Sequence, residues 1–239
     1  MLAETSMPSN PICVAIDTPD LEKAVALAKA LQPHVGWAKV GMEFFYAHGL
    51  AGYTGVAETG LPIFLDLKLH DIPNTVASAM KALMRIAPMP GIVNLHATGG
   101  LDMMKAAADA VDGRAKLIAV TILTSLSDDD IWAAGFETAK NTQGHARSLA
   151  ALAKRAGLDG VVCSPHDLSG IRHDLGRDFL TVVPGIRPAD AAVQDQKRVA
   201  TPEAALAAGA DILVIGRAIT GAPDPAKAAQ DILGSLHGR

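Results

Sequence analysis

The sequence predicts a single-domain (β/α)8 barrel over residues 1–239. Three observations carry that expectation. Eight short apolar runs recur along the chain, each ahead of a helical stretch, which is the order of a parallel sheet with right-handed crossovers. The length of 239 residues is close to the roughly 250 typical of such barrels. No G-x-G-x-x-G follows the first run, which weakens the runner-up, a doubly wound open sheet.

Ile12 to Ile16 ends at Asp17, and Thr18-Pro19-Asp20 opens a helix through about Leu31 with acidic residues in its first turn. Val35 to Val40 is the second strand. Pro62 to Lys68 is the third, followed by a helix from Pro73 to about Ile86. Gly91 to Leu95 leads through Thr98-Gly99-Gly100 to a helix ending near Val111. Ala115 to Thr121 is separated by a polar stretch, Ser125 to Gly144, from a helix ending near Ala156. Gly160 to Cys163 precedes a short helix from Pro165. Phe179 to Val183 closes on Pro184-Gly185, and Asp211 to Ile215 closes on Gly216. A last helix runs from near Pro223 to about Leu236.

Composition narrows the function classes. Hydrophobic residues make up 49% and charged residues 19%, enough apolar material for one large core and too little polarity for disorder. The net charge of −4 gives no field that favours nucleic acid, so an anionic ligand needs local positive charge. Cys13 and Cys163 lie far apart with no zinc spacing, which fits a reducing, cytoplasmic compartment. Met1 to Asn10 carries Glu4 and no apolar h-region, which argues against a secretory signal, and no apolar run reaches the length of a membrane span.

The third strand carries the chemistry. With a period of two, Phe64, Asp66 and Lys68 share the face that points into the barrel, near the C-terminal rim where such barrels hold their sites. Ile63, Leu65 and Leu67 face the outer helices. Asp71 follows where the strand gives way to its loop, Lys39 comes from strand two, and Asp17 ends strand one. Buried charges are expensive as mere plugs of a barrel mouth. Carboxylates that hold a lysine protonated and fixed let its ammonium stabilise negative charge and deliver a proton.

A second constellation suits phosphate. Pro184-Gly185-Ile186-Arg187 follows strand seven and Gly216-Arg217 follows strand eight, the loops with which barrels commonly bind phosphate. Arg187 and Arg217 add charge and bidentate donors. The polar segment Pro188 to Arg198 reads as a lid, with Gln194, Asp195 and Gln196 as candidates to touch ligand. Thr124 and Ser125 follow strand five, where hydroxyls and amides suit a planar heterocycle. His96 ends strand four, inward by parity with Asn94, and reads as a polar rim residue. His70 lies between Lys68 and Asp71 and reads as a packing residue, and Cys163 reads as a small buried residue. No metal-ligand spacing is visible.

Asp66-Leu67-Lys68-Leu69-His70-Asp71-Ile72-Pro73-Asn74-Thr75 closely resembles the signature of the orotidine 5′-phosphate decarboxylase family, bacterial type. The resemblance covers the whole chain. Val14-Ala15-Ile16-Asp17, Lys39-Val40-Gly41, Asn94-Leu95-His96-Ala97, Leu123-Thr124-Ser125, Pro184-Gly185-Ile186-Arg187 and Ile215-Gly216-Arg217 fall in family order. It departs at Gln194, where glycine is usual, and at Ala218, where proline is common. The resemblance implies loss of CO₂ from orotidine 5′-phosphate to give UMP in pyrimidine synthesis, with no cofactor. It implies that Asp17 binds a ribose hydroxyl and that Lys39 bridges ribose and the carboxylates. Asp66 would sit beside the orotate carboxylate and Lys68 would donate the proton. Thr124 would meet the pyrimidine, and Arg187, Gln196, Gly216 and Arg217 would hold the substrate and its phosphate. Asp71 and Thr75 would enter the partner's site in a homodimer.

Without the resemblance, the residues reach only a phosphate-binding barrel with acid–base lysines. Two other readings compete. The magnesium-dependent 3-keto-gulonate 6-phosphate decarboxylases share the bare D-x-K-x-x-D, and the continuation Asp71 to Thr75 argues against them. A non-catalytic nucleotide-binding barrel has no need of Lys68.

Overall fold

The computed structural model describes residues 7–188 and 200–237. Its eight strands are parallel and close into a barrel in sequence order. β1 (Ile12–Ile16) is followed by α1 (Leu21–Leu31), β2 (Trp37–Gly41) by α2 (Met42–Ala57), β3 (Ile63–Leu69) by α3 (Pro73–Leu83), and β4 (Ile92–His96) by α4 (Gly100–Val111). β5 (Lys116–Val120) leads to α5 (Asp128–Ala133) and α6 (Thr142–Arg155), and β6 (Gly160–Val162) to α7 (Leu168–Leu175). β7 (Leu180–Val183) precedes α8 (Pro202–Ala207), and β8 (Ile212–Ile215) precedes α9 (Arg217–Thr220) and α10 (Pro225–His237).

Local chemistry sets the helix starts. The Asp20 carboxylate accepts from the Lys23 amide at α1, Asn141 accepts from Gly144 at α6, and Thr201 accepts from Ala204 at α8. Proline opens α3 and α8, where its missing N–H leaves no intrahelical bond unmade.

The strands alternate between two cores. Ile12, Val14, Ile16, Ile63, Leu65 and Leu67 pack outward with the helices in the main core. Cys13, Ala15, Trp37, Phe64, Ile92, Ile118, Val182 and Ile212 fill the barrel interior. At the opposite end from the site, Arg172 of α7 donates to the carbonyls of Phe179 and Gly209 and to the Thr181 hydroxyl, and pairs with Asp211. One guanidinium thereby ties α7 to the starts of β7 and β8.

Two expectations change. The polar stretch Ser125 to Gly144 contains α5, opened by a capping box between Ser127 and Asp130. Ile131 packs with Ile122 and Ala146 in a satellite core, with Trp132 and Phe136 against it. That small core is why a stretch polar on average still folds. The regular alternation of β3 also fails near its end. Leu65 pairs with Val93 and Leu69 with Leu95, so the ladder shifts between them, and Lys68 has a positive φ of 52°.

Candidate active site

A cavity of about 810 Å³ opens at the C-terminal rim, within the range of roughly 300–1,000 Å³ usual for small-molecule sites. Asp17, Lys39, Asp66, Lys68, Thr124, Arg187, Gly216 and Arg217 all line it. Residues far apart in sequence thus converge because each lies in a strand or in the loop that follows it, at the same rim. Asp71 and Thr75 are exposed at the start of α3 and stand outside this lining. Gln194, Asp195 and Gln196 lie outside the described residues. On either side of that segment, Arg187 donates its amide to Ala200 and Ala200 donates to Gly185, which ties the two flanks together.

The charges form a chain. Lys39 Nζ lies 3.2 Å from Asp17 Oδ1 and 3.3 Å from Asp66 Oδ2. Lys68 Nζ lies 2.7 Å from Asp66 Oδ1. Burial works against the Lys39 cation, but the carboxylates of Asp66 and Asp17 outweigh it and hold its pKa above the ordinary value. Burial likewise works against the Asp66 anion. The ammonium groups of Lys39 and Lys68 and the Asn94 amide outweigh it and hold the carboxyl below its usual range. Lys39 and Asp66 are therefore both charged at neutral pH, in a setting where an unpaired charge would be costly.

Asn94 was visible in the sequence only as an inward position on β4. The structure gives it a larger part: its side chain, 1% exposed, donates to Asp66 Oδ1 at 2.7 Å and accepts from the Lys68 amide at 2.8 Å. Its alternation beside Ile92 placed it inward, but which neighbour it meets depends on the β3–β4 register. His96 is half-buried, and its ring lies 5.4 Å from that of His70. Cys163 is buried as expected and borders the cavity.

The two ends of the cavity differ. Ile122, Val162, Cys163 and Pro184 give it an apolar wall, and Leu123 and Thr124 border it from the β5 loop. Arg187 and Arg217 stand on the side of β7 and β8. The arrangement offers cations for an anionic group, an apolar wall and a fixed ammonium–carboxylate pair. Among the described residues, no group of three or more His, Cys, Asp or Glu side chains is placed to hold a metal ion. No described helix is long and apolar enough to cross a membrane.

Residues 10–232 match the family model described as Orotidine 5′-phosphate decarboxylase / HUMPS family. The orotidine 5′-phosphate decarboxylase of Rhodospirillum rubrum is 51% identical over 241 residues, covering 97% of this chain and 96% of the relative. That of Novosphingobium aromaticivorans is 51% identical over 228 residues, covering 95% and 100%. The crystal structure of orotidine 5′-phosphate decarboxylase from Lactobacillus acidophilus superposes with a TM-score of 0.82 at 38% identity, covering 95% of this chain and 99% of that one. Sequence and barrel agree along the whole matched length, and the chain belongs to the orotidine 5′-phosphate decarboxylase / HUMPS family.

Proposed function

We propose that this protein converts orotidine 5′-phosphate to UMP and CO₂, acting in the cytoplasm in pyrimidine nucleotide synthesis, with residues 1–239 as one catalytic domain. The observation that carries the reading is the Lys68–Asp66 pair, 2.7 Å apart, in a cavity that also holds Arg187 and Arg217. In the reaction the bond between C6 and the carboxylate carbon breaks, CO₂ leaves, and the electron pair stays on C6. The Lys68 ammonium stabilises that charge and gives C6 its proton. Its anchoring by Asp66 before substrate arrives supports such preorganisation. This route uses no cofactor, because the cation is a side chain.

The remaining roles follow from position. Asp17 and Lys39, paired at the end of β1 and β2, suit the ribose hydroxyls. Thr124 suits the pyrimidine edge, and Arg187, Gly216 and Arg217 the phosphate, with Gln196 added from the segment between β7 and α8. Asp71 and Thr75, exposed and away from the cavity of their own chain, suit insertion into the partner's site in a homodimer.

The experiment is an ultraviolet absorbance assay of the purified protein with orotidine 5′-phosphate, with and without EDTA. Turnover that survives EDTA supports the reading. Turnover abolished by EDTA and restored by magnesium would favour the metal-dependent sugar-phosphate chemistry of the wider family. UMP binding with no turnover would leave a nucleotide-binding barrel.

A further inference from the structure

We propose that Asn94 is a positioning residue for the decarboxylation, fixing Lys68 and Asp66 as one unit through a single side-chain amide; the proposal rests on the function proposed above. From Leu65 to Leu69 the chain of β3 advances further than its partner β4, which moves only from Val93 to Leu95. Asp66, Leu67 and Lys68 lie between these two pairings, against Asn94 alone on β4. A bulge of this kind re-aims side chains and frees backbone groups from the ladder.

Lys68 sits in the bulge with a φ of 52°, a conformation that residues other than glycine, asparagine and aspartate rarely adopt. Its amide is received by the Asn94 side-chain oxygen at 2.8 Å. The NH₂ of the same amide donates to Asp66 Oδ1 at 2.7 Å, the oxygen that also meets Lys68 Nζ. The chemistry settles the orientation of the amide, since only its oxygen can accept from the Lys68 N–H and only its nitrogen can donate to a carboxylate. An aspartate could accept but, ionised, could not donate. A leucine could do neither. Asn94 is absent from the cavity lining and so acts through its two neighbours.

The test uses Asn94→Ala and the isosteric Asn94→Asp, with the wild type assayed alongside. Asn94→Ala should lower kcat on the order of a hundredfold, the scale of a small misplacement of a catalytic group. The Kd for UMP should stay within about threefold, because no contact to ligand is removed. Asn94→Asp should keep the bond to the Lys68 amide but face Asp66 with a second carboxyl. Its activity should rise as pH falls, because the protonated acid can again donate to Asp66, giving an ionisation absent from the wild type. A purely structural role would not create that ionisation. Should Asn94→Ala fail to fold, the pH profile of Asn94→Asp decides. A kcat within about threefold of wild type in folded Asn94→Ala, or a wild-type pH profile in Asn94→Asp, would overturn the proposal. A wild type inert toward orotidine 5′-phosphate would instead refute the decarboxylase reading.

Discussion

Lys68 Nζ lies 2.7 Å from Asp66 Oδ1, so the proposed proton donor is anchored before any substrate binds. Lys68→Ala should therefore lower kcat at least about a hundredfold. Binding of UMP should remain measurable by calorimetry, because the cations at β7 and β8 are untouched. A variant that keeps more than about a tenth of wild-type kcat would remove Lys68 from the donor role.

Gly41 ends β2 beside the other end of the charge chain. A Cβ built there would stand 2.9 Å from Lys39 Nζ and 3.1 Å from Asp17 Oδ1. Its backbone, with φ −90°, suits any residue, so Gly41→Ala acts on the site and not on the strand. We expect kcat/KM to fall by about tenfold, with Tm little changed. An unchanged kcat/KM would show that the Lys39 ammonium can shift without loss.

Arg217→Ala should weaken UMP about ten- to a hundredfold and uridine far less, because the proposed bond is charge-assisted and made to the phosphate. Gln196→Ala should show the same selectivity more mildly. Titrating both ligands into each variant checks this. Equal losses for nucleotide and nucleoside would place these side chains away from the phosphate.

His96 gives a pH dependence. Burial pushes its pKa below the ordinary value, His70 and Lys68 push the same way, and Asp66 opposes them. The fold thus resists protonating His96. The associated stability is fully present above about pH 6.5, the usual histidine value, and is lost as pH falls through the depressed folded value. His96→Gln should flatten the fall in Tm between about pH 7 and pH 5. Parallel Tm profiles for wild type and variant would show that His96 takes its proton freely.

The shared site is tested by mixing defects. Lys68→Ala and Asp71→Ala homodimers should each be nearly inactive. Mixed dimers formed on co-expression would carry both lesions in one site and neither in the other. With random pairing, activity should recover to about a quarter of wild type in a closed two-fold dimer. No recovery would mean that Asp71 serves its own chain.

Much of this protein can be read from periodicity alone. Ile63, Leu65 and Leu67 face the helices, and Phe64 and Asp66 face inward, because a regular strand alternates and the sequence alternates with it. The same logic put Asp17, Lys39, Asp66 and Lys68 at one rim, since parallel strands in a closed barrel all end on the same side. It stops at the bulge. Whether β3 keeps step with β4 depends on how both strands pack, and the shift after Leu65 leaves Lys68 with a left-handed backbone. Only that register brings Asn94 between the Lys68 amide and the Asp66 carboxylate. The small core around Ile131 was hidden for a related reason: its partners Ile122 and Ala146 come from separate elements. Alternation is a property of one strand and survives in its sequence, whereas a hydrogen bond between strands is a property of their relative placement and exists only once the barrel has closed.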